Sequence, residues 1–142
     1  MKEFLKSGWF RLTIPDSWQV DEDEQPIALY DPQGAGAVQI TAESPKARKA
    51  GERIDVFLMM RAFLRSVGVD VEETDARRYS RGGLEWAYTE YEAESGEGPV
   101  YWRVWFATNH DVLAFLTYAC RAEDKESERS AVDPVVDSLV LF

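Results

Sequence analysis

Apolar and polar residues alternate along several short segments of the chain, which is typical of strands with one buried face. Three such segments lie in the first third, at 10–14, 27–30 and 37–42. The stretch Asp31 to Gly36 separates the last two and is rich in turn-forming residues. The pattern therefore predicts one strand followed by a β-hairpin.

A different spacing begins near Glu52. Apolar residues there recur every three or four positions and form one helical stripe: Val56, Phe57, Met60, Phe63, Leu64 and Val67. Gly68 stands where a helix terminator is expected, so the pattern predicts a helix over 52–67. Ile54, Leu58 and Met59 lie off the stripe; they are candidates for contact with a partner, and packing under a loop is the alternative interpretation.

The second half reads as a meander of strands at 69–79, 84–93, 100–108 and 112–120. The first of these is mostly polar, which favours an edge position. The last two carry apolar side chains on both faces, so both faces of the sheet are expected to be covered. Helices are the expected covering layers.

A second helix is predicted over 124–138, with apolar residues recurring at helical spacing. Pro134 interrupts it, so we expect a kink or a restart capped by Asp133. The elements together predict one α+β domain over 1–142. Its architecture would be an α/β/α sandwich, a mainly antiparallel sheet flanked by helices.

The chain carries a formal net charge of −10. Nucleic acids and anionic membrane surfaces repel such a protein. The alternatives that remain are a basic or apolar protein partner, a small ligand, or a charge that serves solubility alone. One cysteine permits no internal disulfide, and no apolar run approaches the roughly 20 residues of a membrane span. The first eight residues lack the apolar core of a signal peptide, so a cytoplasmic location is expected.

Two sets of residues suggest chemistry. His110 and Cys120 stand ten positions apart along one predicted strand, roughly 33 Å at 3.3 Å per residue, which excludes a thiol dyad. Glu90 and Glu92 share one strand face at a spacing near that of glycosidase carboxylates, although a solvated strand end is the favoured interpretation. No metal or cofactor site is predicted, because the acidic run 21–24 lacks the pattern of a calcium loop.

Aromatic residues are concentrated on the strands of the meander: Trp86, Tyr88, Tyr91, Tyr101, Trp102, Trp105 and Tyr118. Cross-strand packing in the core is the favoured interpretation. A binding groove on a partly covered face is the alternative, in which case Trp86, Tyr88, Trp102 and Trp105 are candidate partner contacts.

Three features of the chain resemble the PsbP-like fold family: the segment Pro15 to Trp18, the hairpin Tyr30 to Ile40, and the helix end at Ser138 and Leu139. That family includes a Ran-binding nuclear import factor and small bacterial proteins of unknown function. The resemblance implies a domain that is not an enzyme and that binds proteins.

Three functional hypotheses follow. The leading one is a non-catalytic protein-binding module, an adaptor or chaperone-like protein whose partner is unidentified or a second copy of itself. The alternative is a carrier or sensor of a small apolar or cationic ligand in an aromatic pocket. The weakest is a hydrolase that uses Glu90 and Glu92.

Overall fold

The computed structural model describes residues 1–45 and 51–142. Within these ranges the chain forms ten strands and two α-helices. In chain order they are β1 (Lys2–Lys6), β2 (Phe10–Ile14), β3 (Gln19–Asp21), β4 (Ile27–Tyr30), β5 (Ala37–Glu43), α1 (Val56–Ser66), β6 (Arg77–Arg81), β7 (Leu84–Ser95), β8 (Gly98–Thr108), β9 (Leu113–Arg121), α2 (Arg129–Asp137) and β10 (Val140–Leu141).

Seven strands form one large antiparallel sheet in the order β3-β4-β5-β9-β8-β7-β6. The predicted meander is its second half, and the mostly polar β6 lies at the edge, as expected. β6 turns into β7 through Gly82 and Gly83, both with positive φ (62° and 76°), the conformation that a two-residue hairpin of this kind requires. The prediction of a mainly antiparallel α+β fold is confirmed.

One side of this sheet, which we call the helix face, packs against α1. The side chain of Asp55 caps the helix by accepting hydrogen bonds from the backbone N–H groups of Phe57 (3.0 Å) and Leu58 (3.1 Å). Met60 and Leu64 are fully buried against side chains of β7 and β8. The predicted stripe thus faces the sheet except at its last member, Val67, which is 56% exposed at the helix end. Gly68 follows with φ +85°.

The opposite side, which we call the sandwich face, is covered by two elements. α2 buries Val132, Val135 and Val136, and a second sheet of order β1-β2-β10 buries Leu12 and Ile14 in the same core. The expectation that helices alone cover the large sheet was therefore wrong on this side.

Three predicted boundaries also need correction. The first helix begins at Val56 rather than residue 52, because Asp55 caps it in an extended conformation. In the segment predicted as a strand over 69–79, a 3-10 turn at Glu73–Asp75 delays the strand to Arg77. The second helix begins at Arg129, not at 124, and it runs through Pro134 without restarting at Asp133.

Candidate functional site

The predicted contact residues do not form one surface. Trp86 and Trp105 lie on the sandwich face at 2% and 3% exposure, and Ile54 is buried just before α1. These three side chains are packed in the core and are closed to a partner. Tyr88 and Trp102 are half-buried, but they lie on opposite faces of the sheet because their strand positions point opposite ways.

Leu58 and Met59 are the predicted residues that do reach solvent, on the outer side of α1. Their exposed fractions are 54% and 38%, and Val67 at the helix end is 56% exposed. Exposed apolar side chains on one helix are a feature of contact surfaces when apolar clefts adjoin them. The helix face has two such clefts.

Both clefts border α1 and share Phe63 as a wall. One measures about 330 Å³ and includes Met59 and Phe115; the other measures about 250 Å³ and includes Val67 and Trp102. Phe63 packs on Phe115 with ring centroids 4.4 Å apart. Since α1 packs on β7 and β8, Phe115 on the neighbouring β9 stays half-exposed. The helix face is thus an apolar surface that α1 covers in part.

The sandwich face carries a polar cleft of about 320 Å³ between α2 and the β6–β7–β8 part of the sheet. We call it the arginine cleft, because four of its lining residues are arginines: Arg77, Arg81, Arg103 and Arg129. Each guanidinium lies over an aromatic ring, for example Arg103 at 4.6 Å from the Trp105 centroid. Asp133 and Asp137 are the carboxylates of the lining.

Arg103 is the anchor of this cleft. Its side chain is 5% exposed; its Nε donates to the Tyr88 hydroxyl at 2.8 Å and its Nη2 to Asp133 at 2.6 Å. Its Nη1 is buried and has no hydrogen-bond partner in the described chain. Burial alone would lower the pKa of Arg103, but the hydrogen bonds that it donates to Tyr88 and Asp133 outweigh burial and raise this pKa above its usual value.

Glu90 lies at the rim of the cleft and accepts three hydrogen bonds. The hydroxyls of Tyr88 and Tyr101 donate to it at 2.6 Å and 2.7 Å, and Arg129 lies at 3.4 Å. Burial opposes ionisation, but these donors outweigh it and hold the pKa of Glu90 below its usual value. Glu90 and Glu92 are both exposed, so neither carboxyl has the buried setting that keeps a catalytic acid protonated, and the structure does not support the hydrolase hypothesis.

The tyrosines of this network keep their protons at neutral pH. Burial and the nearby carboxylate of Asp137 raise the pKa of Tyr79 to about 12. Burial and the hydrogen bond to Glu90 raise the pKa of Tyr101 far above its usual value. The hydroxyls are therefore hydrogen-bond donors in the cleft, not bases.

The sequence analysis did not single out the arginines of the cleft, although it did single out the aromatic residues next to them on the same strands. The missed signal is an alternation: Arg77, Tyr79 and Arg81 share one strand face, as do Tyr101, Arg103 and Trp105. An arginine between two aromatics on an otherwise apolar strand face indicates a buried guanidinium.

The other residues that suggested chemistry have structural roles. His110 lies in the turn before β9, where its Nδ1 accepts from the Ile54 N–H at 3.1 Å and its Nε2 lies 3.3 Å from Glu85. Cys120 is buried near the far end of β9, so the exclusion of a thiol dyad is confirmed.

Residues 34–36 form the turn of the predicted β4–β5 hairpin. The N–H groups of Ala35 and Gly36 both donate to the Glu128 carboxylate at 2.8 Å.

No helix of the described residues is long and apolar enough to cross a membrane. In the same ranges no group of three or more His, Cys, Asp or Glu side chains has the arrangement of a metal site.

Comparison with known proteins identifies the fold. No family model and no curated protein sequence matches the chain. Its structure resembles the solution structure of cyanobacterial PsbP (CyanoP) from Synechocystis sp. PCC 6803, with a TM-score of 0.70 and 14% identity over 99% of this chain and 92% of that one. The chain thus has the PsbP-like α+β fold, and the resemblance noted in the sequence is confirmed at the level of fold.

Two further solved structures show the same fold. LpqN, described as involved in cell envelope biogenesis of Mycobacterium tuberculosis, matches with a TM-score of 0.66 and 9% identity over 94% of this chain and 83% of its own. A protein from Bacteroides thetaiotaomicron matches with a TM-score of 0.69 and 18% identity over 99% of this chain. The chain spans about half of that protein, 48% of its length.

Proposed function

We propose that this chain is a non-catalytic protein-binding domain whose helix face holds an apolar segment of a partner protein. One observation carries the proposal: two apolar clefts share Phe63, and each has an exposed apolar residue in its wall, Met59 in one and Val67 in the other. Leu58, next to Met59 on α1, is also exposed. Apolar side chains at a cleft gain most when another apolar group excludes water from them. A cytoplasmic adaptor or chaperone-like role belongs to the same proposal.

The partner segment is defined by two properties. The clefts take aliphatic or aromatic anchors, because aromatic and apolar side chains form most of their walls. The net charge of −10 attracts a segment with flanking positive charge and raises its rate of association. An apolar segment flanked by lysine or arginine therefore fits this surface.

The cationic-ligand alternative has weaker support. An aromatic pocket binds a cation through the open faces of its rings. On the sandwich face these rings already have arginine guanidinium groups over them, at 4.9 Å for Arg77 on Tyr79 and 5.3 Å for Arg103 on Tyr88. A second cation would meet like charge there.

Photocrosslinking in the source cell tests the proposal. A photoreactive phenylalanine analogue replaces Leu58 or Val67, and in the control protein it replaces Leu5, which is 55% exposed on β1. We expect one protein to be crosslinked from both helix positions and not from the control position. Adding Met59→Glu should lower that yield roughly fivefold, the effect of losing a contact worth about 1 kcal/mol.

The outcomes separate the alternatives. Adducts between two copies of this chain would assign the helix face to a homodimer instead of a foreign partner. Equal crosslinking from Leu5 and the helix positions, or no protein adduct from either helix position, would contradict the proposal. Circular dichroism of the Met59→Glu protein checks that the fold is intact, as expected for a residue already 38% exposed.

A further inference from the structure

The arginine cleft contains a guanidinium donor that no described residue accepts. Arg103 is held in place through Nε and Nη2, while Nη1 is buried and unpartnered. A buried N–H group without an acceptor is unfavourable, and native proteins rarely leave one unless water or a ligand completes it. Arg103 therefore marks a position where an acceptor is missing.

Two further donors line the same cleft. Arg77 makes no ion pair with a carboxylate of the described chain, and its guanidinium lies over the Tyr79 ring at 4.9 Å. The Tyr79 hydroxyl, half-buried in the cleft wall, has no hydrogen-bond acceptor among the described residues. Arg77, Tyr79 and Arg103 lie on β6 and β8, with β7 between them.

One arginine of the cleft has no carboxylate partner. Arg103 pairs with Asp133 and Arg81 with Asp137, while Arg129 contacts Glu90 and Glu126. Among the described residues Arg77 forms no such pair. Arg77 and Nη1 of Arg103 are therefore the donors that remain for an anion, although the whole chain carries −10.

We propose that the arginine cleft binds a small molecule through its phosphate or carboxylate group. Guanidinium groups bind such oxyanions through paired N–H donors, and a tyrosine hydroxyl adds a third. The volume of about 320 Å³ suits a small ligand. The exposed side chain of Arg77 is the second guanidinium donor for the same anion.

The test is an NMR titration of the full chain that follows arginine side-chain and backbone N–H signals. Separate arms use inorganic phosphate, citrate and an aspartate-rich peptide. We expect saturable shifts at Arg103 and Arg77 with phosphate or citrate, and the arm that saturates at lower concentration identifies the group. Arg77→Gln should weaken binding about tenfold and Tyr79→Phe about threefold, as for a charge-assisted and a neutral hydrogen bond.

Arg121→Gln is the matched control, because it removes the same charge from an exposed position whose carboxylate neighbour is Glu123 at 3.7 Å. It should leave the affinity unchanged. An equal loss in Arg77→Gln and Arg121→Gln, or shifts that never saturate, would mean an adventitious ion only and would overturn the proposal. Saturation by the peptide alone would assign the cleft to a protein and would also overturn it.

Discussion

At the scale of single residues, the sandwich face combines a buried cation with aromatic rings. Arg103 occupies a strand position between Tyr101 and Trp105, where an apolar side chain would pack without loss of hydration. Its guanidinium is compensated by the Tyr88 hydroxyl, by Asp133 and by the face of Trp105. Burying and pairing a charge in this way contributes little to stability, so stability alone does not account for an arginine at this position.

Glu90 gives a prediction on pH dependence. Its pKa in the folded chain lies below the ordinary value of 4.5, so its interactions with Tyr88, Tyr101 and Arg129 stabilise the fold above that pH. The stabilisation is lost as the pH falls through the lowered pKa of the folded state. We expect Glu90→Gln to be less stable than the native chain at pH 7 and to lose less stability on acidification.

The measurement is the urea midpoint of both proteins from pH 7 down to the acid limit of folding. The two midpoints should converge as the pH falls through the lowered pKa of Glu90, because a protonated carboxyl and an amide carry the same charge. A constant difference over the whole range would show that ionisation of Glu90 does not contribute.

At the scale of elements, the alternation of apolar and polar residues predicted the strands that have one face buried and the other face less buried. β2 and β4 were predicted because buried and less buried positions alternate along them. β1 was missed since Phe4 is its one buried residue, and its pairing with β2 comes from backbone hydrogen bonds. The pattern of apolar residues within one segment does not predict which strands pair. It also did not predict the 3-10 turn that shortens the strand predicted at 69–79.

The hairpin turn before β5 gives a second prediction. A Cβ on Gly36 would lie 2.1 Å from the backbone oxygen of Ala119 on β9, and backbone cannot move aside cheaply. Gly36→Ala should therefore lower the free energy of unfolding by about 1–3 kcal/mol, the usual effect of overpacking. Chemical denaturation measures it.

Gly96 provides the matched control. It lies in the turn between β7 and β8, and an added Cβ would meet nothing within 4 Å. Gly96→Ala should change stability by less than about 1 kcal/mol, in the stabilising direction, because it restricts the unfolded chain. Equal effects of the two substitutions would show that contact with Ala119 is not the cause.

At the scale of the whole molecule, the sequence predicted the sheet and two residues of the helix-face site, Leu58 and Met59, but not the arginine cleft. The stripe of α1 predicted the buried side of the helix, and the off-stripe residues Leu58 and Met59 correctly indicated an exposed apolar edge. The arginine cleft is assembled from β6, β8 and α2, which are distant in the chain. The clustering of its arginines therefore cannot be predicted until the order of the strands in the sheet is known.

The large sheet separates two apolar cores, which leads to a prediction about cooperativity. Met60 is fully buried in the core of the helix face and Leu12 in that of the sandwich face, and both cores include side chains of β7, β8 and β9. If 1–142 is one domain, Met60→Ala and Leu12→Ala should each lower the free energy of unfolding by about 2–5 kcal/mol. Far-ultraviolet circular dichroism and tryptophan fluorescence should follow one common transition in both variants, because a core cannot unfold without exposing the strands that it shares. A transition in which Met60→Ala shifts one signal and leaves the other unchanged would show that the cores unfold independently.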